Sequence, residues 1–169
     1  MLRLYTACCS WPGGHDAVMA LLGRAWAETR GGTMPPVLKT PEGKPFFAGD
    51  PLYFSLAHAR TLAACAVSDR PVGVDAELLR TLRSGLARYV CSPEELAALP
   101  EGDEALLALW TRKEAWAKYT GRGLRGQPRA VVPGDGVTYH TATLCGCVVT
   151  VCSPYGEPPE RIGDALTDG

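Results

Sequence analysis

Two residues of opposite charge, Glu114 and Lys118, stand one helical turn apart in an apolar segment that begins at Trp110. Residues four apart share one ridge of a helix, and on an exposed helix such a pair contributes only about 0.2–0.5 kcal/mol. Surface decoration is therefore the ordinary interpretation. Here Trp116 and Tyr119 crowd the same ridge, so we expect the pair at the border of a core. A carboxylate and an ammonium in that position are candidate site residues.

A second pair of candidates, Asp75 and Glu77, lies in the strand-forming stretch VGVDAELL. Residues two apart project from the same face of a strand, which would set the two carboxylates side by side. Like charges at that spacing repel unless a cation lies between them, and Mg²⁺ prefers such oxygen ligands. Taken alone, the pair also fits a strand that runs into solvent with two exposed acids, and that simpler interpretation is favoured.

Helices must hold the first pair in place. The stretch GDEALLALWTRKEAWAKYTG predicts the longest helix, with Asp103 as its N-cap and Gly121 at its C-terminal end. A shorter helix is predicted at SPEELAAL, where Ser92 caps the N-terminus, Pro93 takes the first helical position and Glu95 closes a capping box.

The order of the remaining elements predicts an α+β fold. An opening strand, LRLYTACC, precedes a helix with apolar residues at positions 18, 21, 22, 25 and 26. Strands follow, and then a second series of strand, helices and strands. We expect one unit over 1–169 made of two compact halves, about 1–70 and about 71–153. The Pro-, Gly- and acid-rich tail 154–169 should be loosely held.

Composition indicates a globular protein. The 169 residues suffice for one domain with a real core, and 46% of them are hydrophobic and 21% charged. Neither a membrane-spanning run nor a signal peptide is recognisable, which predicts a cytoplasmic location. The seven cysteines are odd in number and lack zinc spacing, so we expect free thiols and no structural metal.

The charge distribution points to an anionic ligand or an acidic partner. A formal net charge of −1 argues against general nucleic-acid binding. Between Arg112 and Arg129, however, six basic residues accompany the single acid Glu114. Basic segments of this kind usually form a solvated charged surface without a ligand, and that interpretation remains the alternative.

Four stretches together resemble one enzyme family. They occur in the order Gly43-Lys44-Pro45, Phe54 to His58, Gly73 to Glu77, and Trp110 to Leu124. The last fits the pattern W-[ST]-x-K-E-[AS]-x-x-K-x-x-G-x-G-L at nearly every specified position. The chain resembles the 4′-phosphopantetheinyl transferases, specifically the long, pseudo-dimeric class that activates surfactin synthetase and related carrier domains.

The resemblance implies a fold and a reaction. The fold would consist of two similar α/β halves with antiparallel sheets and long packed helices, related by a pseudo-twofold axis, with coenzyme A in the cleft between them. The reaction would move 4′-phosphopantetheine from coenzyme A to a serine of an acyl- or peptidyl-carrier protein and release 3′,5′-ADP. Two fused halves make a monomer sufficient.

The resemblance also implies residue roles. Asp75, Glu77 and Glu114 would hold a Mg²⁺ ion that bridges the pyrophosphate of coenzyme A, and Glu114 and Lys118 would be catalytic. Glu114 would help remove the serine proton, and Lys118 would stabilise the leaving group. The residues expected to bind coenzyme A are Lys44, Pro45, His58, Lys113 and Lys118. A metal and an ammonium placed in advance suit the negative charge that develops during phosphoryl transfer.

The chain departs from the family pattern at several places. Ala57 and Ala59 flank His58 where small hydroxyl residues usually stand, and SWPGGH replaces a basic helical insertion. Arg24 and Arg30 are candidates to supply the missing contacts to the 3′-phosphate. The basic residues expected to attract an acidic carrier are Arg80, Arg83, Arg112, Arg122 and Arg125.

Two other functions remain open. One is a non-catalytic module of the same fold that binds coenzyme A or a carrier, which the shortened N-terminal half and Ala57 would favour. The other is a metal-dependent nuclease or phosphatase built on the same acids, although the chain offers no extended basic track for nucleic acid.

Overall fold

The computed structural model describes residues 1–8, 14–124, 127–132 and 134–163. Its strands are β1 (Leu2–Cys8), β2 (Val37–Lys39), β3 (Pro45–Phe47), β4 (Tyr53–His58), β5 (Leu62–Ser68), β6 (Gly73–Leu78), β7 (Thr138–Leu144), β8 (Cys147–Ser153) and β9 (Glu160–Gly163). Its helices are α1 (Gly14–Thr29), α2 (Leu86–Val90), α3 (Pro93–Ala98) and α4 (Asp103–Thr120), with a 3₁₀ turn at Pro128–Ala130. The prediction of a mixed α+β fold with antiparallel sheets is confirmed.

The N-terminal sheet has the strand order β4-β5-β1-β9. Strand β5 pairs antiparallel with both β1 and β4, and all seven of its residues are buried. Helix α1 covers one face of this sheet with the apolar stripe that the sequence predicts: Val18, Leu21, Leu22, Ala25 and Trp26. These residues recur every three or four positions, so they form one face of the helix and bury it together.

The C-terminal sheet has the order β6-β8-β7, with β8 buried along its whole length. One face packs on the N-terminal sheet through small and β-branched side chains, among them Ala64, Ala66, Val74, Ala76 and Val149. The other face packs on α4. Because strand side chains alternate between faces, Val74 and Ala76 point to the sheet interface while Gly73, Asp75 and Glu77 face α4.

Local capping fixes the ends of the C-terminal helices. The capping box of α3 is confirmed: Ser92 Oγ accepts from the Glu95 amide (3.2 Å), and Glu95 Oε2 accepts from the Ser92 amide (2.7 Å). The predicted N-cap of α4 is wrong by one residue, because Asp103 is already helical and Gly102 precedes it. Gly121 ends α4 as predicted, with a φ of 74° that favours glycine. Among the described residues, no helix is both long and apolar enough to span a bilayer.

The tail is more ordered than the sequence indicates. Residues 160–163 form β9, which pairs in parallel with the open edge of β1, so this part of the segment expected to be loose is held in the sheet. Arg3 Nε also donates to Glu160 Oε2 at 2.8 Å. An unpaired strand edge offers backbone groups that a nearby extended segment can satisfy, which a composition rich in Pro and Gly does not reveal. Residues 164–169 lie outside the described part of the chain.

A disulfide joins the two halves, contrary to the expectation of free thiols at Cys8 and Cys145, whereas Cys65, Cys91, Cys147 and Cys152 are free as expected. Cys8 at the end of β1 is bonded to Cys145, which occupies the two-residue turn between β7 and β8. Cys145 has a φ of 48° and Gly146 one of 70°, as in a tight hairpin turn. Thr61 Oγ1 donates to the Cys145 carbonyl at 2.7 Å. The pairing was missed because the two cysteines are 137 residues apart in sequence and meet only through the stacking of the sheets.

We expect peptide mapping without reductant to recover Cys8 and Cys145 in one linked peptide. Because the bond closes a very long loop, its reduction should lower the free energy of unfolding by about 2–4 kcal/mol, measured by urea titration. In a Cys8→Ser variant the reductant should cause no further loss. Recovery of only unlinked peptides from the non-reduced protein would contradict the pairing.

Candidate active site

A cavity of about 250 Å³ opens beside α4. Its walls bring together three of the four stretches on which the resemblance depends: residues 42–45, 54–56 and 114–123. The charged side chains that line it are Glu42, Lys44, Glu114 and Lys118. Segments that are far apart in sequence therefore form one pocket, which carries two carboxylates and two lysines.

The close approach of α4 to β6 makes this arrangement possible. A β-carbon on Gly73 would lie 2.0 Å from the Ala115 carbonyl oxygen and 2.6 Å from the Tyr119 amide nitrogen, so only glycine fits. The contact sets the outward face of β6 directly against the helix. Asp75, two residues further along β6, thereby comes opposite Lys118.

Lys118 forms an ion pair with Asp75. Its Nζ donates to Asp75 Oδ1 at 2.8 Å and to the Leu56 carbonyl at 3.2 Å, which links α4 to both β6 and β4. Asp75 is buried, and its second carboxylate oxygen has no hydrogen-bond partner among the described residues. Burial raises the pKa of Asp75 above its ordinary value, and the charge of Lys118 opposes that shift.

Glu114 lies one turn before Lys118 on α4 and borders the cavity. Burial raises the pKa of its carboxyl group, the negative charge of Asp75 raises it further, and Lys118 acts in the opposite direction. Glu77 adds a smaller effect of the same sign as Asp75. The three acids therefore lie close enough to repel one another.

The predicted metal ligands do not form an assembled binding site. Among the described residues, no three His, Cys, Asp or Glu side chains are grouped so that they could hold an ion together. Glu77 accepts a hydrogen bond from Trp110 Nε1 at 3.2 Å, and Asp75 is engaged by Lys118. The role of Asp75, Glu77 and Glu114 as ligands stays a prediction.

The donor groups nevertheless fit Mg²⁺ in kind. Magnesium prefers a few carboxylates. Here one Asp75 oxygen has no partner among the described residues, and the negative charges of Asp75 and Glu77 raise the pKa of Glu114. A divalent cation would relieve both the buried oxygen and the repulsion. In this structure the Lys118 ammonium neutralises the Asp75 carboxylate. That ammonium would have to move away from Asp75 for the ion to bind there.

Lys44 and Pro45 also line the cavity. Lys44 Nζ donates to the Tyr119 carbonyl at 2.6 Å, in the last turn of α4. Cations are favourable at this end of a helix, where carbonyl groups lack helical partners. Burial lowers the pKa of Lys44. The predicted contact of both residues with a nucleotide is not tested by these contacts.

His58 lies apart from the cavity walls described above. It is exposed at the end of β4, where a β-carbon on Gly14 would come within 3.0 Å of its Nδ1 atom. The imidazole thus sits against the N-terminal end of α1. Its predicted contact with the 3′-phosphate of coenzyme A stays a prediction.

The prediction that Lys113 binds coenzyme A needs correction, because its side chain is not accessible to a ligand. Its side chain has no solvent exposure, and Nζ donates to Glu95 Oε2 at 2.6 Å and to the carbonyls of Val90 and Pro128, each at 3.0 Å. On a helix, neighbouring residues point about 100° apart. Lys113 therefore faces the interior while Glu114 borders the cavity.

Several of the predicted basic contacts are engaged within the protein. Arg24 Nε donates to Glu28 at 2.8 Å, and Arg30 forms an ion pair with Asp50 at 3.2 Å. Their expected contacts to the 3′-phosphate stay a prediction. Arg112 lies over the ring of Tyr139, 5.3 Å from its centroid. Of the other predicted docking residues, Arg80, Arg83 and Arg122 are exposed, and Arg125 lies outside the described residues.

Sequence reasoning missed two parts of the site. The Leu56 carbonyl accepts from Lys118, and the Trp110 indole donates to Glu77. Backbone acceptors leave no trace in residue type, so the first could not be found. The second could have been considered, because a partly buried tryptophan usually finds an acceptor for its N–H group.

Comparison with known proteins gives a consistent result. The family model described as the 4′-phosphopantetheinyl transferase superfamily matches residues 71–135. The chain is 32% identical over 171 residues to the 4′-phosphopantetheinyl transferase AcpT of Salmonella typhi, an alignment that covers 92% of this chain and 87% of that protein.

Shorter similarities extend to other bacteria. The 4′-phosphopantetheinyl transferase of Bacillus subtilis is 30% identical over 88 residues, which cover 48% of this chain and 39% of that protein. The 4′-phosphopantetheinyl transferase HetI of Nostoc sp. is 38% identical over 94 residues, which cover 48% of this chain and 40% of that protein. These alignments thus span about two fifths of the length of those relatives.

We expect Gly73→Ala to lower the free energy of unfolding by about 3 kcal/mol or more, because the new methyl group would overlap backbone atoms of α4. Gly23→Ala in α1 is the matched control. A β-carbon there meets no atom within 4 Å, so the change should stabilise by up to about 1 kcal/mol. Equal effects of the two changes in urea titrations would contradict the close approach.

The raised pKa of Glu114 predicts a pH-dependent effect of Glu114→Gln. Below about pH 3 the carboxyl group is protonated in both the folded and the unfolded chain, so the variant should match the wild type. As the pH rises through the shifted pKa, ionisation costs the folded state free energy that glutamine avoids. At pH 7 the variant should be more stable, by less than about 1 kcal/mol because the group is partly exposed. Thermal unfolding at both pH values measures this, and a variant destabilised only at pH 7 would contradict it.

Proposed function

Because the chain belongs to the 4′-phosphopantetheinyl transferase superfamily, we propose that it transfers 4′-phosphopantetheine from coenzyme A to a serine of an acyl- or peptidyl-carrier protein. The products would be the modified carrier and 3′,5′-ADP, and the reaction would depend on Mg²⁺. The observation that carries this proposal is the cavity beside α4, where Glu114 and Lys118 lie next to the buried Asp75.

Lys118 suits the task of holding the donor's phosphates. Its side chain is about one-third exposed, and its ammonium already pairs with an anion, the Asp75 carboxylate. When the serine oxygen bonds to the phosphorus next to pantetheine, the bond from that phosphorus to the oxygen of 3′,5′-ADP breaks. Negative charge then develops on the departing oxygen, and a compact ammonium at that position stabilises it.

Glu114 suits the task of accepting the serine proton. A general base works best when its pKa lies near the working pH, and burial together with Asp75 shifts the pKa of Glu114 in that direction. Its carboxylate borders the cavity, whereas Asp75 is nearly sealed from solvent. The proton would thus pass from the serine hydroxyl to Glu114.

Asp75, Glu77 and Glu114 would hold the magnesium ion. When bound there, Mg²⁺ supplies positive charge to the pyrophosphate of coenzyme A. Trp110 supports this set, because its indole N–H fixes one oxygen of Glu77.

We further assign the chain to the long, pseudo-dimeric class as a monomer of two related halves. The strand orders support this assignment. In each half the last strand lies in the centre: β5 between β4 and β1, and β8 between β7 and β6. In each half a long helix, α1 or α4, also follows the first strand in sequence. One topology used twice is what a fused dimer requires.

A non-catalytic binding module of the same fold is the second candidate. It is favoured by the pairing of Lys118 with Asp75 and by the lack of an assembled metal-ligand group among the described residues. The two candidates differ in turnover. An enzyme modifies many carriers per chain, whereas a binding module modifies none.

The direct test incubates the protein with apo-carrier proteins of several kinds, coenzyme A and Mg²⁺, followed by intact mass spectrometry of the carrier. We expect the mass gain of one phosphopantetheine group with many turnovers. Glu114→Gln should reduce kcat by at least about 100-fold, since it removes the proton acceptor and one carboxylate charge. Glu104→Gln, an exposed change on the same helix, should leave the rate unchanged.

If the wild-type chain modifies no carrier but binds coenzyme A tightly, the transferase proposal is refuted and the non-catalytic binding module is supported. Full activity in Glu114→Gln would refute the role assigned to that residue.

A further inference from the structure

Lys113 is a lysine buried completely in the protein. Its ammonium group has three acceptors: the Glu95 carboxylate at 2.6 Å and the carbonyl oxygens of Val90 and Pro128 at 3.0 Å each. An ammonium group has three protons, so every donor finds an acceptor. Charges are seldom buried to this degree unless they are paired and hydrogen-bonded in this way.

The three acceptors belong to three different segments. Val90 ends α2, Glu95 lies in the first turn of α3, and Pro128 begins the 3₁₀ turn. A single side chain of α4 therefore fixes all three segments to the helix. Its removal would leave a carboxylate and two carbonyl oxygens without their donor, which is costly in a buried place.

The first two of these segments lead to Glu77. Val90 and Cys91 form an apolar cluster with Leu106 of α4, and Trp110 packs against that cluster. The indole N–H of Trp110 in turn donates to Glu77 at 3.2 Å. The packing of α2 and α3 on α4 therefore affects the position of the Glu77 carboxylate through Trp110.

The third segment leads to the cavity. Gln127 and residues 130–132 line one side of a groove of about 580 Å³, and α4 lines another with Trp116, Ala117 and Thr120. Ala117 and Gly123 line this groove and also the cavity that holds Lys118. The bond from Lys113 to the Pro128 carbonyl therefore anchors the segment that forms one wall of a groove, and this groove shares two lining residues with the site.

We propose that Lys113 is a positioning residue for the transfer reaction, which it serves through Trp110, Glu77 and the groove wall. The inference rests on the proposed function. The cavity walls at 42–45 and 54–56 do not include the segments that Lys113 holds. Loss of its ammonium should thus disturb the geometry of transfer more than the binding of coenzyme A.

The test compares wild type with Lys113→Met, which keeps the length of the side chain and removes its charge. We expect amide hydrogen exchange to increase in 86–98 and 127–132 while α1 keeps its protection. The Kd for coenzyme A, measured by calorimetry, should stay within about twofold. The kcat for carrier modification should fall about tenfold or more, because small displacements at a reacting centre are costly.

Two further variants complete the design. Glu95→Gln removes only the carboxylate charge and should give the same pattern more weakly, which serves if Lys113→Met does not fold. Glu94→Gln is the matched control, since Glu94 is exposed, belongs to the same turn and contacts Ser92 instead of Lys113. It should change neither exchange nor kcat.

Three results would overturn the proposal. A loss of coenzyme A affinity as large as the loss of kcat would make Lys113 a ligand-binding residue. Increased exchange throughout the chain would make it a general contributor to stability, and wild-type exchange and kcat would leave it no role. If the wild-type chain modifies no carrier, the proposed function fails by itself. In that case amide hydrogen exchange and coenzyme A binding of Lys113→Met decide whether Lys113 positions the neighbouring segments. Unchanged exchange in 86–98 and 127–132 would overturn this role.

Discussion

The ion pair between Lys118 and Asp75 is the interaction on which the candidate site depends. It joins α4 to β6 at the point where Gly73 allows helix and strand to approach, and a second bond from Lys118 to the Leu56 carbonyl adds β4. An unpaired Asp75 carboxylate at this depth would be strongly unfavourable. The pair also keeps an ammonium beside a cavity and next to Glu114, which is the charge arrangement that phosphoryl transfer requires.

Two lysines of α4 illustrate how position on a helix determines use. Lys113 and Lys118 are five residues apart, and their side chains are 0% and 33% exposed. Lys113 donates all three of its ammonium protons to groups of the protein and holds neighbouring segments in place. The second keeps part of its surface open at the cavity. Burial and the number of acceptors, and not residue type, separate a structural cation from one that can meet a ligand.

The sequence predicted the elements better than their meeting points. The stripe of α1, the capping box at Ser92 and the end of α4 at Gly121 all follow from local rules, and the structure confirms them. The interior position of Lys113 and the Cys8–Cys145 bond do not follow from such rules, because both depend on segments that meet only after folding. The same holds for β9, whose partner is the edge of β1.

The most direct test of the account is a crystal structure of the chain with coenzyme A and Mg²⁺. We expect the pyrophosphate in the cavity beside α4, with Lys118 Nζ turned from Asp75 to a phosphate oxygen and the ion held by carboxylates of β6 and Glu114. Coenzyme A bound elsewhere, with the pair of Lys118 and Asp75 undisturbed, would contradict the account.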